Sequence, residues 1–282
     1  MWVNVTMKKN DLNINQHKEE KLKEILCTKW LGKDTVFFST CDSTNTRLQE
    51  LANAGAKEGT VVISEEQTAG QGRNGRNWNS PKGEGIFLSM LLRPEFKPRY
   101  ASMITLVTAL AVCSALGKNG VERLFIKWPN DIVASGKKLC GILTKMSTDA
   151  EAIQYIIVGL GINVNQKNFH PEIAKIATSL YIETKEEKSQ VNIIADFLSA
   201  FETYYEQFRI TKDLSLLKEE YNQKLVHRNS MVRIIEEGRE KTVKALEINE
   251  KGELLVEEQG QIRTIIAGEI SVRGIYGYTY NN

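Results

Sequence analysis

Hydrophobic positions change their period along the chain, and each change marks a predicted element. Residues 17–31, HKEEKLKEILCTKWL, read as a helix and run into Gly32. DTVFFS, from Asp34, predicts a strand. CDSTNTRLQELANAG opens with capping residues, continues with helix formers and stops at Gly55. GTVVISEEQ predicts the next strand, and GIFLSMLLRP, ending at Pro94, a mostly apolar one. SMITLVTALAVCSALGKNG is a helix apolar on most sides, which predicts burial nearly all round. RLFIKW and QYIIVGLGINVN are further strands, and KKLCGILTKMS is half of a hairpin entered through Ser135-Gly136. Helices over about 191–209 and 213–225 follow.

After Leu225 the texture changes to short alternating strands. Turn signals fall at Glu237-Gly238, Lys251-Gly252 and Gln259-Gly260. Short strands at regular spacing predict a small barrel. The chain therefore divides into an N-terminal helical extension (1–30), a main domain (31–227) and a C-terminal barrel (228–282). No internal repeat or low-complexity tract interrupts it.

Hydrophobic residues make up 41% of the 282, enough for a large core, so disorder is not expected. The formal net charge of +2 makes no general case for nucleic acid or an anionic membrane as partner. No uninterrupted run of about 18 apolar residues predicts a membrane span. The N-terminus has no apolar signal region, so a cytoplasmic protein is expected. Cys27, Cys41, Cys113 and Cys140 are not paired at C-x-x-C spacing, and His17, His170 and His227 are scattered. No metal cluster is expected from them, and the cysteines read as free buried thiols.

The candidate chemistry begins at TAGQGRNGRNW, Thr68 to Trp78. Gly70, Gly72 and Gly75 have the G-x-G-x-x-G spacing of a dinucleotide loop and come near a Walker loop. Both templates require a helix to open from the glycines, and the following RNWNSPKGEG is poor helix material. Glycines still let a backbone approach a ligand closely, and Arg73 and Arg76 suit phosphate or carboxylate. A solvated surface turn explains the stretch equally well. IKWPND places Lys127, Asn130 and Asp131 at a strand end, either a ligand edge or a simple turn. A hairpin after Asp131 brings Lys138 back beside it, and Gly141 interrupts the returning strand. In VGLGINVN, Gly159 and Gly161 bare one strand face, leaving room for a flat ring or for tight packing against a helix. DSTN, Asp42 to Asn45, offers helix N–H groups and hydroxyls to a polar ligand, although capping alone explains it.

Together and in this order, these segments resemble biotin protein ligase, from about Thr40 to Arg273. The family's glycine loop, usually G-R-G-R-x-G-R-x-W, stands here as Gly70 to Trp78. K-W-P-N-D is intact at Lys127 to Asp131, K-L-x-G-I-L at Lys138 to Leu143, G-x-G-I-N at Gly159 to Asn163, and G-E-I-S-x-R at Gly268 to Arg273.

The resemblance implies an α+β fold: a mixed sheet with helices on one side, of the class II synthetase-like kind, plus an SH3-like barrel. It implies two steps. Biotin and MgATP give biotinyl-5′-AMP, and a lysine of a biotin carboxyl carrier domain then takes the biotin. It further implies that Ser43, Thr44, Asn45 and Gln67 face biotin's ureido head, with Gly70, Gln71, Gly72, Arg73 and Gly141 lining the same pocket. Lys138 bridges carboxylate and phosphate. Lys127, Arg76 and Arg273 serve the phosphates, and Trp78, Asn130 and Asn163 the nucleotide. Lys138, Arg73 and Asp131 are the catalytic candidates, with Asp131 orienting or deprotonating the carrier lysine. Gln71 stands where the family usually has Arg, which removes a charge from the loop. About 30 residues precede DTVFFS, so no DNA-binding role is expected; a monomer or homodimer is. A lipoate ligase and a biotin-binding module without chemistry are the alternatives.

Overall fold

A computed structural model describes residues 9–149, 152–236, 239–267 and 271–274. The first half holds α1 (Lys9–Ile25), β1 (Thr35–Phe38), α2 (Thr44–Asn53), β2 (Val61–Ser64), β3 (Gly85–Leu92) and α3 (Ala101–Lys118). Then come β4 (Leu124–Lys127), β5 (Asp131–Ala134), β6 (Lys137–Asp149) and β7 (Ala152–Asn163). Short helices α4 (Pro171–Ala174) and α5 (Leu180–Thr184) lead to α6 (Gln190–Thr211) and α7 (Lys218–Lys224). The chain ends in β8 (Ser230–Glu236), β9 (Arg239–Ile248), β10 (Leu254–Glu258), β11 (Gln261–Ile265) and β12 (Ser271–Gly274).

Seven strands form one mixed sheet in the order β1-β2-β3-β7-β6-β5-β4, with only β1 and β2 parallel. β3 lies inside this sheet, and its GIFLSMLL run is buried at every position. Alternate residues face opposite ways. Ile86, Leu88, Met90 and Leu92 join the main core with α3 and α6, while Leu91 joins Leu48 and Ala52 of α2 in a smaller cluster. The large helices α1, α3 and α6 thus cover one face, as expected. The other face carries α2 at one end and the glycine loop beside it.

The apolar helix α3 fits its place between sheet and α6. The stretch Pro98–Lys118 is long and apolar enough to cross a membrane (mean hydropathy 1.7), which the sequence reading did not anticipate, but it is 72% buried within the fold. α6 presents Phe197, Phe201, Tyr205 and Phe208, three or four apart and hence on one side. All four are buried, with Phe201 stacked on Tyr205 at 5.5 Å. From the same helix Glu202 accepts backbone N–H bonds from Lys29, Trp30 and Leu31 at 2.7, 2.9 and 3.1 Å. One carboxylate thereby fixes the link between α1 and the sheet.

Two helices differ in extent from the sequence reading, and one strand is additional to it. α1 starts at Lys9 and stops at Ile25, so Leu26–Leu31 lie outside it. The expected helix over 213–225 shrinks to Lys218–Lys224, because Asp213 turns the chain by accepting from Ser215 N at 2.9 Å. β5 was hidden behind the Pro-Asn-Asp turn signal, yet it pairs with both β4 and β6.

The C-terminal strands form a five-stranded antiparallel sheet, β11-β10-β9-β8-β12, the small SH3-like unit. It docks on the main unit through Trp128 Nε1, which donates to Gly252 O at 3.0 Å, and through Asn222, which exchanges two bonds with Ile248. His227 lies between the two units, 1% exposed, with both ring nitrogens unpartnered. Burial, helped by the charge of Lys127, lowers its pKa from 6.5 to about 4. The folded state therefore holds it neutral. Its contribution is complete above pH 6.5 and is lost as pH falls from 6.5 through about 4. The expected loss is on the order of 3 kcal/mol. Urea unfolding at pH 7 and pH 4.5 checks it: His227→Phe should flatten the acid limb, and an unchanged limb would remove His227 as its cause.

Candidate active site

The site is built on the sheet face that carries α2. Gly141 of β6 pairs with Gly161 of β7, and Leu143 with Gly159. The two β7 glycines bare this face, and protein groups occupy the space. A Cβ at Gly161 would lie 2.5 Å from Trp78 Cε2, and one at Gly159 would lie 2.3 Å from Asn45 Oδ1. Of the two readings left open, Gly159 follows tight packing against a helix. Gly161 accepts a flat ring, the chain's own indole.

At one end of the pocket α2 begins. Its N-cap Ser43 is extended and makes no side-chain cap bond, so capping does not account for this serine. Gln67 serves instead: its Oε1 accepts from Thr44 N at 2.9 Å, and its Nε2 donates to Ser80 Oγ at 3.0 Å. Ser89, buried in β3, donates to Asn45 Oδ1 at 2.6 Å and lies 2.7 Å from the Thr44 hydroxyl. Asn45 Nδ2 reaches Leu143 O at 3.4 Å. The result is a rigid amide- and hydroxyl-lined floor. Ser89 was missed by the sequence reading, although it is the one polar residue inside GIFLSMLL.

At the other end the charges gather. The hairpin turn of Ser135 and Gly136, both at positive φ, returns β6 beside β5. Lys138 Nζ then lies 2.7 Å from Asp131 Oδ1 and 5.1 Å from the centre of the Trp78 ring. The Lys138 backbone is pinned by Ile176 O and Thr178 N, at 2.8 and 2.9 Å. Asn130 is held on β6 from both sides, with Ile142 N donating to its O and its Nδ2 donating to Ile142 O. Its free Oδ1 accepts from Arg73 Nη1 at 2.9 Å. Burial lowers the Arg73 pKa, and the nearby Asp131 partly offsets that. A guanidinium remains charged throughout the ordinary pH range.

The glycine loop itself is a short turn over Arg73–Gly75, not the start of a helix, with Asn74 and Gly75 at positive φ. Both nucleotide-loop templates therefore fail in the structure as they do in the sequence. Arg73 enters the pocket, whereas Arg76 is exposed outside it.

Ser43, Thr44, Asn45, Gln67, Gln71, Gly72, Arg73, Trp78, Asn130, Lys138 and Gly141 all meet at this pocket. Gly70 supports it, packed against Trp78 O and Ser80. Asp131 reaches it through Lys138. Lys127 is not in the lining and stands near His227. Asn163 is buried behind the site, donating to Thr178 O at 2.9 Å. Arg273 lies on β12, opposite Arg233, and its side chain is outside the described residues, as are Gly268 to Ile270. Cys41, Cys113 and Cys140 are free and buried, but Cys27 is exposed, because α1 ends two residues before it.

The model of the biotin/lipoate A/B protein ligase family matches residues 36–163, and that of the biotin protein ligase C-terminal domain matches 227–273. The bifunctional ligase/repressor BirA of Bacillus subtilis is 34% identical over 262 residues, 90% of this chain and 78% of that protein. The biotin–[acetyl-CoA-carboxylase] ligase of Mycobacterium tuberculosis is 31% identical over 86% of this chain and 89% of its own. Among solved structures, the biotin protein ligase from Aquifex aeolicus in complex with biotin and ATP superposes with a TM-score of 0.75 at 31% identity, covering 86% of this chain and 99% of that one. The fold and site thus define a ligase. The chain belongs to the biotin protein ligase family.

Proposed function

We propose that this chain biotinylates a biotin carboxyl carrier domain at the expense of ATP, and that its site residues divide the work by their place in the pocket. The supporting observation is the convergence of Lys138, Arg73 and Asn130 opposite the amide-lined floor at α2. The floor of Ser43, Thr44, Asn45 and Gln67 suits a neutral ureido ring with donors and an acceptor. The cationic end suits the meeting of two anions, a carboxylate and an α-phosphate.

In the first step a biotin carboxylate oxygen bonds to the α-phosphorus and pyrophosphate leaves. Lys138 and Arg73 hold the charge that concentrates there. In the second step the carrier's ε-amine attacks the acyl carbon, AMP leaves and the amine loses a proton. Asp131 is the acceptor in reach. In the free protein it pairs with Lys138. Once Lys138 turns to the substrate anions, its contact with Asp131 gives way to one with the incoming amine. Trp78, flat on the sheet, offers its ring to the nucleotide. Lys127 and Arg76 are assigned to charge near the phosphate, Arg273 to the outer phosphates, and Asn163 to the neighbourhood of the adenine.

Mg2+ would enter on the triphosphate: among the described residues no group of three or more acidic, histidine or cysteine side chains is placed to hold a metal ion. The domain boundary falls at 227/228, the location is cytoplasmic, and the assembly is a monomer or homodimer that does not bind DNA. A gel shift with operator DNA tests the last point.

Biotin-dependent exchange between ATP and pyrophosphate, repeated with an added carrier domain, tests the function. Exchange with biotin and biotin transfer to one carrier lysine are expected. Exchange with lipoate alone would replace the reading by lipoate ligation, and tight biotin binding without exchange would leave a binding module.

A further inference from the structure

We propose that Lys145 is a positioning residue for this reaction: its ammonium fastens the glycine loop across the pocket by gripping Gln71. The inference rests on the biotinylation reading above.

Lys145 shares a face of β6 with Gly141 and Leu143, which line the pocket, because alternate strand residues point the same way. It stands opposite Ile157, one position beyond the Leu143–Gly159 pair on that face. That puts it at the rim, roughly 13 Å along the strand from Gly141. Its Nζ donates to Gln71 Oε1 at 2.7 Å. Near Lys138, at the charged end, Arg73 donates to Asn130 at 2.9 Å. The loop is therefore tied to the sheet on two sides of the pocket, with Gly72 strung between the ties.

The loop's other hydrogen bonds are mostly its own. Gly72 N donates to Arg76 O, Arg76 N to Arg73 O, and Trp78 N to Gly70 O. Such bonds shape the loop but do not hold it to the sheet. With Gly70, Gly72 and Gly75 in it, the loop loses much conformational freedom when it closes. The ties that cross the pocket decide how much of its time is spent closed.

Charge explains why residue 71 is a glutamine. Among the described residues no carboxylate pairs with Lys145, and its ammonium donates to Gln71 at the rim. An arginine at 71 would face that ammonium and repel it. Gln71 offers an oxygen instead. The cation that the loop lacks stands on the sheet, and the loop carries the acceptor.

The test follows release of biotinyl-adenylate from the full chain, with pyrophosphate exchange alongside. Lys145→Met should speed release about three- to tenfold, the loss of one charge-assisted hydrogen bond at a half-exposed site. The KM for biotin should rise with it, and kcat should move less than either. Lys145→Arg should restore slow release. Gln71→Glu should slow release about two- to fivefold, and added salt should erode that gain. Unchanged release in Lys145→Met, or a fall in kcat with release unmoved, would overturn the proposal. Amide hydrogen exchange of residues 70–78 needs no substrate and should be faster in Lys145→Met than in the parent. It separates the two readings: a parent that forms no adenylate would overturn the function, whereas equal exchange in parent and variant would overturn the tie. Gln71→Glu keeps the proposal testable should Lys145→Met not fold.

Discussion

Lys138→Ala is expected to lower biotin-dependent pyrophosphate exchange by about 10²–10³, the usual cost of a charged contact that strengthens in the transition state. Lys138 is pre-placed at the point where two anions must meet. Its backbone is clamped by Ile176 and Thr178, and its chain lies along Trp78 above Gly141. Little reorganisation remains when the substrates arrive. The structure adds a cost that pocket-edge placement alone would not suggest. Lys138 and Asp131 form a close pair with side-chain exposures of 26% and 13%. Removing the lysine leaves a mostly buried carboxylate without its ammonium, and about 1–2 kcal/mol of stability should go with it. The two effects separate in Lys138→Ala with Asp131→Asn. Stability should return by thermal unfolding, while exchange stays at the level of the single variant. Near-normal exchange in Lys138→Ala would remove it from the chemistry. A double variant that regains exchange would show that the loss of the Lys138 contact at Asp131 had been the only damage.

Much of this site was legible because its residues cluster in the sequence at element ends. WPND, the Ser135-Gly136 turn and the start of β6 belong to two successive hairpins that share β5, so local turn chemistry brings Lys138 to Asp131. The paired glycines of β6 and β7 were legible as a bare face, but not what would lie on it. Trp78 and Asn45 come from distant segments, and no periodicity reports such a contact. For the same reason Ser89 and Lys145 were missed. Each is an ordinary residue in a strand until the partner from another element is in place. Asn163 shows the converse. Its motif pointed to the ligand, yet its amide is spent on Thr178 and Gln166, in support of the loop that holds Lys138. The fold was legible wherever burial imposed a pattern, as in α3 and β3. It was obscured where turn residues masked a short strand, as at β5.

Arg73→Gly is expected to separate making the adenylate from keeping it. Lys138 remains in the variant, so the anhydride should still form. What goes is the bond from Arg73 Nη1 to Asn130 Oδ1 and the one loop charge that points into the pocket. A fourth glycine also joins a segment where Asn74 and Gly75 already adopt positive φ, so the loop has more freedom to lose on closing. Losing a hydrogen bond from a charged donor costs about 1.5–3 kcal/mol, which corresponds to roughly 10- to 100-fold faster release. That exceeds the expectation for Lys145→Met, because Lys145 ties the loop without pointing its charge at the phosphate. Gln71 cannot compensate, being neutral and engaged by Lys145. The freed anhydride should acylate any nearby amine. The variant, mixed with biotin, ATP and an unrelated lysine-rich protein, should therefore label that protein well above the parent's level. Free hydroxylamine should suppress the labelling by capturing the adenylate in solution. If adenylate forms and bystander labelling stays at the parent's level, Arg73 does not retain the intermediate. Arg76, exposed in the free protein, would then be the group that swings in to hold it, and Arg76→Gly should show the leak instead.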